Sequence, residues 1–360
     1  MSDGASGPGD VLHTRLVELL GCRRPIVQTG MGWVSGAHLT AATSAAGGFG
    51  ILASITMTDE QFRDAVRSVK EQTDAPFGAN FRAGQPDLDE RIAFATGEGI
   101  RLFSFAGAPT KDAIAKIHDA GALVMPTVGA RRHAEKMAEW GVDAVIAQGG
   151  EGGGHTGSVP TSLLLPQVVE AVGSQIPVVG AGGFHSGAGL VAALAYGADG
   201  IAMGTRFLLT QESRVPGSIK GDYTKATVFD TVVTTALDGA PQRVIRTELI
   251  DTLERSSVLT RMPKAAIKAL EFAKLTGTSA KDVVREGLAM RKSQDLTWSQ
   301  LAMAANAPML IKAALVDGDA SVGVLPTGQV TGVIDDLPTV AELLDRIEAD
   351  ARATLARLAG

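Results

Sequence analysis

The chain has 360 residues, 45% of them hydrophobic, with a formal net charge of −6 at pH 7. This length and composition give a chain that buries a large core, in one large α/β domain or two ordinary ones; the acidic balance argues against general nucleic-acid binding, and no apolar run reaches the roughly 18 residues of a membrane span. The only cysteine, Cys22, cannot form an internal disulfide, so we expect a cytoplasmic protein whose fold does not depend on an oxidising compartment.

The first ten residues are rich in glycine, serine and aspartate. They lack the basic and apolar regions of a signal peptide, and we expect residues 1–10 to form a disordered tail. Residues 11–20 then predict a short helix, and residues 25–30 predict the first strand.

From this strand onward, one unit repeats: an apolar run of strand length is followed by an amphipathic segment of helix length. The predicted strands are residues 25–30, 49–53, 77–81, 102–107, 123–128, 144–149, 177–183 and 200–205. The predicted helices between them are residues 38–46, 59–71, 87–96, 111–120, 131–140, 163–172 and 187–196. Continuous apolar runs are typical of buried parallel strands. Strict alternation leaves a doubly wound open sheet or a (β/α)8 TIM barrel, and eight roughly equal units favour the α/β barrel.

Beyond residue 207 the repeat ends. Helical patterns follow at residues 263–276, 280–290 and 298–317, then a glycine-rich passage at 322–332 and an amphipathic helix at 339–358. We therefore expect residues 11–210 and 311–360 to form the barrel, and residues 211–310 to form a mainly helical substrate-binding cap. Residues 255–292 carry nine Lys and Arg against three Asp and Glu. This basic segment either binds an anionic substrate or is a solvated face.

The predicted strands carry no reactive side chain. In a barrel enzyme the reacting groups lie at the carboxyl ends of the strands, yet none of the eight predicted strands contains Lys, Arg, Asp, Glu, His or Cys. This pattern argues against a Schiff-base lysine, a pair of facing carboxylates and a metal site. A catalytic barrel of this kind would need a bound organic cofactor.

The loops after the last two predicted strands suit a phosphate. They contain Gly182, Gly183 and Gly204, which let main-chain N–H groups approach closely, and Thr205, whose hydroxyl can donate. The dinucleotide spacing G-x-G-x-x-G fails at His185, so a mononucleotide fits better than NAD. The alternative is that these glycines only form tight turns.

Neutral hydrogen-bonding groups stand at three other strand ends: residues 28–32, Asn80 and Gln148. Amides both donate and accept, so they can match the edge of a flat heteroaromatic ring, although each could equally be a satisfied core amide. Next to Gln148, the glycine loop 149–157 contains His155, the one residue of that loop able to transfer a proton near neutral pH. Glu151 either orients His155 or is solvated. The alternative is a flexible turn with an incidental histidine.

Several motifs resemble the nitronate monooxygenase family, formerly 2-nitropropane dioxygenase, which includes the flavin-dependent enoyl-acyl-carrier-protein reductase II. They are Pro25-Ile-Val-Gln-Thr-Gly-Met-Gly32, Ala45-Ala-Gly-Gly-Phe-Gly-Ile51, Gly78-Ala-Asn-Phe81, Gly152-Gly-Gly-His-Thr-Gly157, Ala181-Gly-Gly183 and Ala198-Asp-Gly-Ile-Ala-Met-Gly-Thr-Arg-Phe207. The resemblance implies an FMN-binding TIM barrel with a helical second domain and places the catalytic histidine on His155. The flavin-binding positions that we expect are Gly30, Met31, Gly32, Asn80, Gln148, Gly153, Gly154, Ala181, Gly182, Gly183, Gly204 and Thr205.

The carboxyl-terminal half resembles a branch of these flavoproteins that acts on acyl-CoA intermediates of bacterial steroid C/D-ring catabolism. The motifs are Val232-Val-Thr-Thr235, Arg243-Val-Ile-Arg-Thr-Glu-Leu249, Leu296-Thr-Trp-Ser-Gln300, Met303-Ala-Ala-Asn-Ala-Pro-Met309 and Gly328-Gln-Val-Thr-Gly-Val-Ile-Asp-Asp-Leu337. The chain departs from some nitronate monooxygenases at Pro126, where they hold a flavin-contacting lysine.

These features lead to the expectation of an FMN-dependent oxidoreductase that reduces or desaturates a CoA-linked alicyclic substrate, with hydride passing through flavin N5 and His155 acting as acid or base. Oxidation of alkyl nitronates with O2 is the alternative, and a non-catalytic flavin-binding barrel is a second one. NADH or NADPH is a candidate electron donor or acceptor. The sequence allows a homodimer and predicts neither a nucleic-acid nor a membrane partner.

Overall fold

The computed structural model describes residues 10–85, 87–255 and 307–360. Its strands are β1 (Ile26–Gln28), β2 (Phe49–Ala53), β3 (Phe77–Arg82), β4 (Leu102–Ala106), β5 (Leu123–Val128), β6 (Val145–Gln148), β7 (Gly154–His155), β8 (Val178–Ala181), β9 (Gly200–Met203), β10 (Thr231–Thr234) and β11 (Gln242–Ile245). Eight of them close into a parallel barrel in the order β1-β2-β3-β4-β5-β6-β8-β9. The predicted TIM barrel is confirmed, with each barrel strand where the apolar runs predicted it. One detail is corrected: β3 extends to Arg82, so a charged residue does stand at a strand end.

Helices surround this barrel. They are α1 (Arg15–Leu20), α2 (Ala37–Ala45), α3 (Asp59–Gln72), α4 (Leu88–Gly97), α5 (Lys111–Asp119), α6 (Arg131–Glu139), α7 (Thr161–Val172), α8 (Gly187–Ala195), α9 (Thr205–Leu208), α10 (Gly217–Lys225), α11 (Glu248–Arg255), α12 (Ala307–Leu315) and α13 (Val340–Ala359). The seven helices predicted between barrel strands are confirmed as α2 to α8. Short 3-10 helices occupy Val228–Asp230 and Gln329–Val333.

The interior of the barrel is filled by side chains and is closed at one end by α1. One buried cluster joins residues from the barrel strands to the apolar face of this helix: Leu16, Val17, Leu20, Val27, Phe49, Ile51, Leu102, Met125, Ile146, Val179 and Ala202. Alternate strand residues point to the other side and pack against the outer helices. Because the interior is packed, the open end at the strand carboxyl termini is the place for a site.

The last helix returns to the barrel wall, as the sequence predicts. α13 begins with a capping box between Thr339 and Glu342 and packs on α8. The contact is close at Gly187, where a Cβ atom would lie 2.2 Å from the main-chain nitrogen of Ala351. The helix is also tied to the start of β1, because Arg24 Nε lies 2.7 Å from Glu348 Oε2.

The excursion after the barrel contains a feature that the sequence analysis missed. β10 and β11 form an antiparallel pair, and β11 also pairs with the two-residue strand β7 in the glycine loop. The helices predicted at residues 263–276 and 280–290 lie outside the described residues, as does most of the one at 298–317, of which α12 is the described end. The basic segment 255–292 lies outside them too, apart from Arg255. The cap at 211–310 therefore stays a prediction.

None of the described helices has the length and apolarity needed to cross a membrane.

Candidate active site

The glycine loop 149–157 follows β6 at the open end of the barrel and is held from three directions, by two side chains and one main-chain N–H. Gln148 Nε2 donates to the carbonyl oxygen of His155 at 2.8 Å. Arg243 Nη2 donates to the carbonyl oxygen of Gly150 at 2.9 Å, and the main-chain N–H of Gln329 donates to the carbonyl of Glu151 at 2.9 Å. Three loop carbonyls with hydrogen-bond donors argue against the alternative of a flexible turn.

Two adjacent glycines of this loop are required for different reasons. A Cβ atom on Gly153 would lie 2.4 Å from the carbonyl carbon of Thr327 and 2.5 Å from the nitrogen of Gly328, so the loop touches the carboxyl-terminal passage there. Gly154 has open space around its Cβ position but a φ of 64°, a conformation that other residues rarely adopt. The backbone turn at Gly154 presents the next residue, His155, toward open space.

His155 is paired with a carboxylate that the sequence analysis did not identify. Its Nε2 atom lies 2.7 Å from Oδ2 of Asp238. The imidazole is 67% exposed, whereas the Asp238 side chain is only 8% exposed. The pairing of β7 with β11 creates this contact, because it sets Gln242 opposite His155 and brings along the turn that carries Asp238. No local signal links two residues 83 positions apart, so sequence spacing could not have revealed it.

Glu151 does not take the orienting role that the sequence suggested. Its carboxylate accepts hydrogen bonds from the main-chain N–H of Thr161 at 2.9 Å and from the Thr161 hydroxyl at 2.7 Å. This arrangement caps the first turn of α7 and satisfies N–H and O–H donors at its start. The partner of His155 is therefore Asp238, and Glu151 fixes the far side of the glycine loop to the barrel.

His185 lies in the loop after β8 and is half-buried. Burial lowers the pKa of His185, while its hydrogen bond with the main chain of Gly183 acts in the opposite direction. A histidine with a lowered pKa is neutral at pH 7. His185 is therefore a half-buried group beside Gly183, whereas the imidazole of His155 is exposed.

The loop after β1 brings the predicted flavin-contacting residues against other strand ends. A Cβ atom on Gly30 would lie 2.3 Å from Cβ of Asn80, and one on Gly204 would lie 3.3 Å from Sδ of Met31. Gly32 lies against Thr56, where a Cβ atom would be 3.0 Å from Cγ2. Predicted positions from three places, the loop after β1, strand β3 and the loop after β9, thus meet at one end of the barrel.

The predicted amides differ in what they contact. Gln28 is fully buried, and its Nε2 atom donates to Ser35 Oγ at 2.8 Å and to the Ile51 carbonyl at 3.2 Å, which anchors the β1 loop; its Oε1 atom is buried without a partner among the described residues. Asn80 is nearly buried, and its Nδ2 atom is 3.4 Å from Ser104 Oγ, a long hydrogen bond. Gln148 holds the His155 carbonyl. Of the three amides, Asn80 makes the longest hydrogen bond within the protein, so its N–H groups are the most available to a ligand.

The loops after β8 and β9 offer the donors expected of a phosphate site. Gly182 and Gly183 both have positive φ, at 96° and 81°, directly after Ala181 at the end of β8. Within the described part of the chain, the main-chain N–H groups of Gly183 and Gly204 have no hydrogen-bond acceptor. The Thr205 hydroxyl accepts from the N–H of Gly328 at 2.9 Å and keeps its own hydrogen to donate.

These donors fit the phosphate of FMN. Main-chain N–H groups in a glycine turn and a threonine hydroxyl bind phosphate without a cationic side chain. Arg206, the nearest cation in sequence, turns away and pairs with Asp336 at 2.8 Å. At the position of the lysine found in some relatives, Pro126 is buried in β5 beside Phe105 of β4. Among the described residues, no group of three His, Cys, Asp or Glu is placed to hold a metal ion.

Comparison with known proteins identifies relatives that match nearly the full length of the chain. The family model for nitronate monooxygenase matches residues 13–350. A relative from Rhodococcus jostii, (3aS,4S,5R,7aS)-5-hydroxy-7a-methyl-1-oxo-octahydro-1H-indene-4-carboxyl-CoA dehydrogenase, is 54% identical over 340 residues, which cover 94% of this chain and 96% of the relative. FabK from Thermotoga maritima has a similar structure, with a TM-score of 0.77 at 32% identity, covering 96% of this chain and 98% of FabK. A nitroalkane oxidase from Streptomyces ansochromogenes has a TM-score of 0.73 at 27% identity, covering 95% and 99%.

Proposed function

Because the chain belongs to the nitronate monooxygenase family, a family of FMN-dependent oxidoreductases, we propose that it binds FMN and oxidises or reduces a CoA thioester of a hydroindane ring. The observation that carries the substrate class is the 54% identity with the Rhodococcus jostii dehydrogenase, which extends over nearly the full length of both chains. The aligned residues therefore include the excursion after the barrel as well as the barrel itself.

The geometry supports this proposal through what each loop can do. Gly183, Gly204 and Thr205 would hold the phosphate of FMN, and Met31 and Asn80 would contact its ring system. Bound FMN supplies a two-electron acceptor or donor. His155, exposed at the same end of the barrel, takes or gives the proton that accompanies electron transfer to or from the substrate.

The position of His155 favours catalysis over a flavin carrier. A carrier needs no titratable group beside its ligand, whereas here a buried carboxylate is dedicated to an exposed imidazole. The imidazole is 67% exposed, so a substrate carbon or hydroxyl can approach it.

The test is an anaerobic titration of the FMN-loaded enzyme, followed by the loss of flavin absorbance. We expect a synthetic CoA thioester of a hydroxylated hydroindanone carboxylic acid to reduce the flavin stoichiometrically, or its oxidised form to reoxidise flavin reduced chemically. NADH, NADPH and an alkyl nitronate are added separately to the same enzyme. Reduction by the nitronate, together with no response to either CoA ester, would contradict the proposal and identify a nitronate monooxygenase.

A further inference from the structure

Both carboxylate oxygens of Asp238 have hydrogen-bond partners. It lies in the turn between β10 and β11, and its Oδ1 atom accepts a hydrogen bond from the N–H of Ala240 at 3.0 Å. Its Oδ2 atom accepts from Nε2 of Gln242 at 2.5 Å and lies 2.7 Å from Nε2 of His155. Gln242 is 1% exposed, so it is fixed in turn. The carboxylate therefore has one orientation, and that orientation faces the imidazole.

We propose that Asp238 is the positioning residue for His155, holding the neutral imidazole with its hydrogen on Nε2 and leaving Nδ1 to exchange the proton with the substrate. This inference rests on the proposed role of His155. An ionised carboxylate only accepts hydrogen bonds, and Asp238 already accepts from the main-chain N–H of Ala240 and from the side-chain amide of Gln242, so the His155 nitrogen that faces Oδ2 is the donor. An accepting carboxylate selects the tautomer in which Nε2 carries the hydrogen.

The Nδ1 atom of His155 is the nitrogen available for chemistry. Within the described part of the chain, it has no hydrogen-bond partner, and the ring is two-thirds exposed. When Nδ1 takes a proton from a substrate hydroxyl or carbon, the ring becomes an imidazolium whose second N–H already points at Asp238. When Nδ1 returns the proton, the ring is neutral again. No other atom need move during the exchange.

A purely structural role for Asp238 would not require this contact. The hydrogen bonds to Ala240 and Gln242 already satisfy the carboxylate within its own hairpin. An imidazole as exposed as that of His155 is solvated by water and gains little stability from a contact with a carboxylate. Yet β7, only two residues long, pairs with β11 at the position that sets Gln242 opposite His155. The β10–β11 hairpin therefore contacts the glycine loop at His155 itself.

The first experiment is Asp238→Asn, which keeps the shape of the side chain but lets it donate toward His155. We expect the FMN content and KM for the CoA ester to stay close to wild type, while kcat falls by roughly 10²-fold because the wrong ring nitrogen is presented. The matched control is Asp335→Asn, which removes the same charge from an exposed position. A wild-type kcat in Asp238→Asn, or an equal loss in Asp335→Asn, would overturn the inference.

The second experiment reads the tautomer directly and needs no turnover. In FMN-loaded protein labelled with 15N-histidine, the long-range 1H–15N correlation spectrum distinguishes hydrogen on Nε2 from hydrogen on Nδ1, and His155→Gln assigns the signal. We expect neutral His155 to carry its hydrogen on Nε2 in the wild type. Finding it on Nδ1 would overturn the inference even if His155 proves essential. The Nε2 tautomer in an enzyme that does not need His155 would instead contradict the proton-transfer role of His155 on which the inference rests, and leave only the contact with Asp238.

Discussion

At the scale of single residues, the glycine loop combines backbone freedom with fixed contacts. Gly153 is small because main chain from Thr327 and Gly328 presses on it, and Gly154 is glycine because its φ is positive. The side chains that hold the loop belong to Gln148, Arg243 and Asp238. His155 is therefore placed by its neighbours rather than by its own packing.

Gly154→Ala tests whether the backbone conformation places His155. The new Cβ atom meets no other atom within 4 Å, so the cost is the left-handed conformation alone, about 1–2 kcal/mol of stability. Gly121→Ala is the matched control, since Gly121 has φ of 74° and the same open surroundings outside the site. We expect similar falls in the free energy of unfolding for both variants, and a lower kcat only for Gly154→Ala. Equal kcat values in the two variants would contradict this account.

At the scale of elements, the sequence predicts the barrel strands but not the small sheet beside them. Barrel strands such as β2 and β8 are buried on both sides, so their apolar runs are visible without knowledge of their partners. β10 is mostly partly exposed, β11 is only four residues long and contains Gln242 and Arg243, and β7 has two residues, one of them glycine. Such short strands are defined by their pairing across the fold.

The same reasoning explains which parts of the site could be predicted. His155, Gly183 and Thr205 stand at strand ends, where barrel topology brings loops together, so their residue types were informative. Asp238 lies beyond the repeat, in a hairpin that meets the loop only through β11. For Glu151 the sequence left open an orienting role or a solvated side chain, because nearness in sequence does not reveal that its carboxylate caps α7.

The loops after β8 and β9 lead to a prediction about the cofactor. Thr205→Val removes a hydroxyl that would donate to phosphate and that accepts from Gly328, whereas Thr205→Ser keeps both functions. We expect the Kd of the apoprotein for FMN to rise roughly 10-fold in Thr205→Val, the equivalent of about one hydrogen bond to a charged group, and to change little in Thr205→Ser. Titration by flavin fluorescence measures both.

Riboflavin, which lacks the phosphate, is the control ligand for this experiment. Its affinity should be the same in the wild type and in Thr205→Val. An equal loss of affinity for FMN and riboflavin would mean that the hydroxyl acts through Gly328 and the shape of the site, and not on the phosphate.

At the scale of the whole molecule, a packed barrel gives a rigid base to loops that come from distant parts of the chain. α1 closes one end, and α13 locks onto α8 at Gly187 and onto the start of β1 through Arg24 and Glu348. The open end is then built from the loops after β1, β6, β8 and β9, together with the β10–β11 hairpin and the passage at Thr327–Gln329. The carboxyl-terminal passage contacts both the glycine loop and Thr205, so it joins the proposed proton-transfer site to the proposed phosphate site.

The most direct measurement is the anaerobic rate of flavin reduction by the CoA thioester, in stopped flow, for the wild type and for His155→Gln. The account predicts that the variant binds FMN with a normal absorbance spectrum, since the proposed flavin contacts are left intact. Its reduction rate should fall by roughly 10²–10⁴-fold, the usual loss when a positioned acid or base is removed. A variant that holds its flavin and is reduced at the wild-type rate would contradict the central claim that His155 transfers the proton.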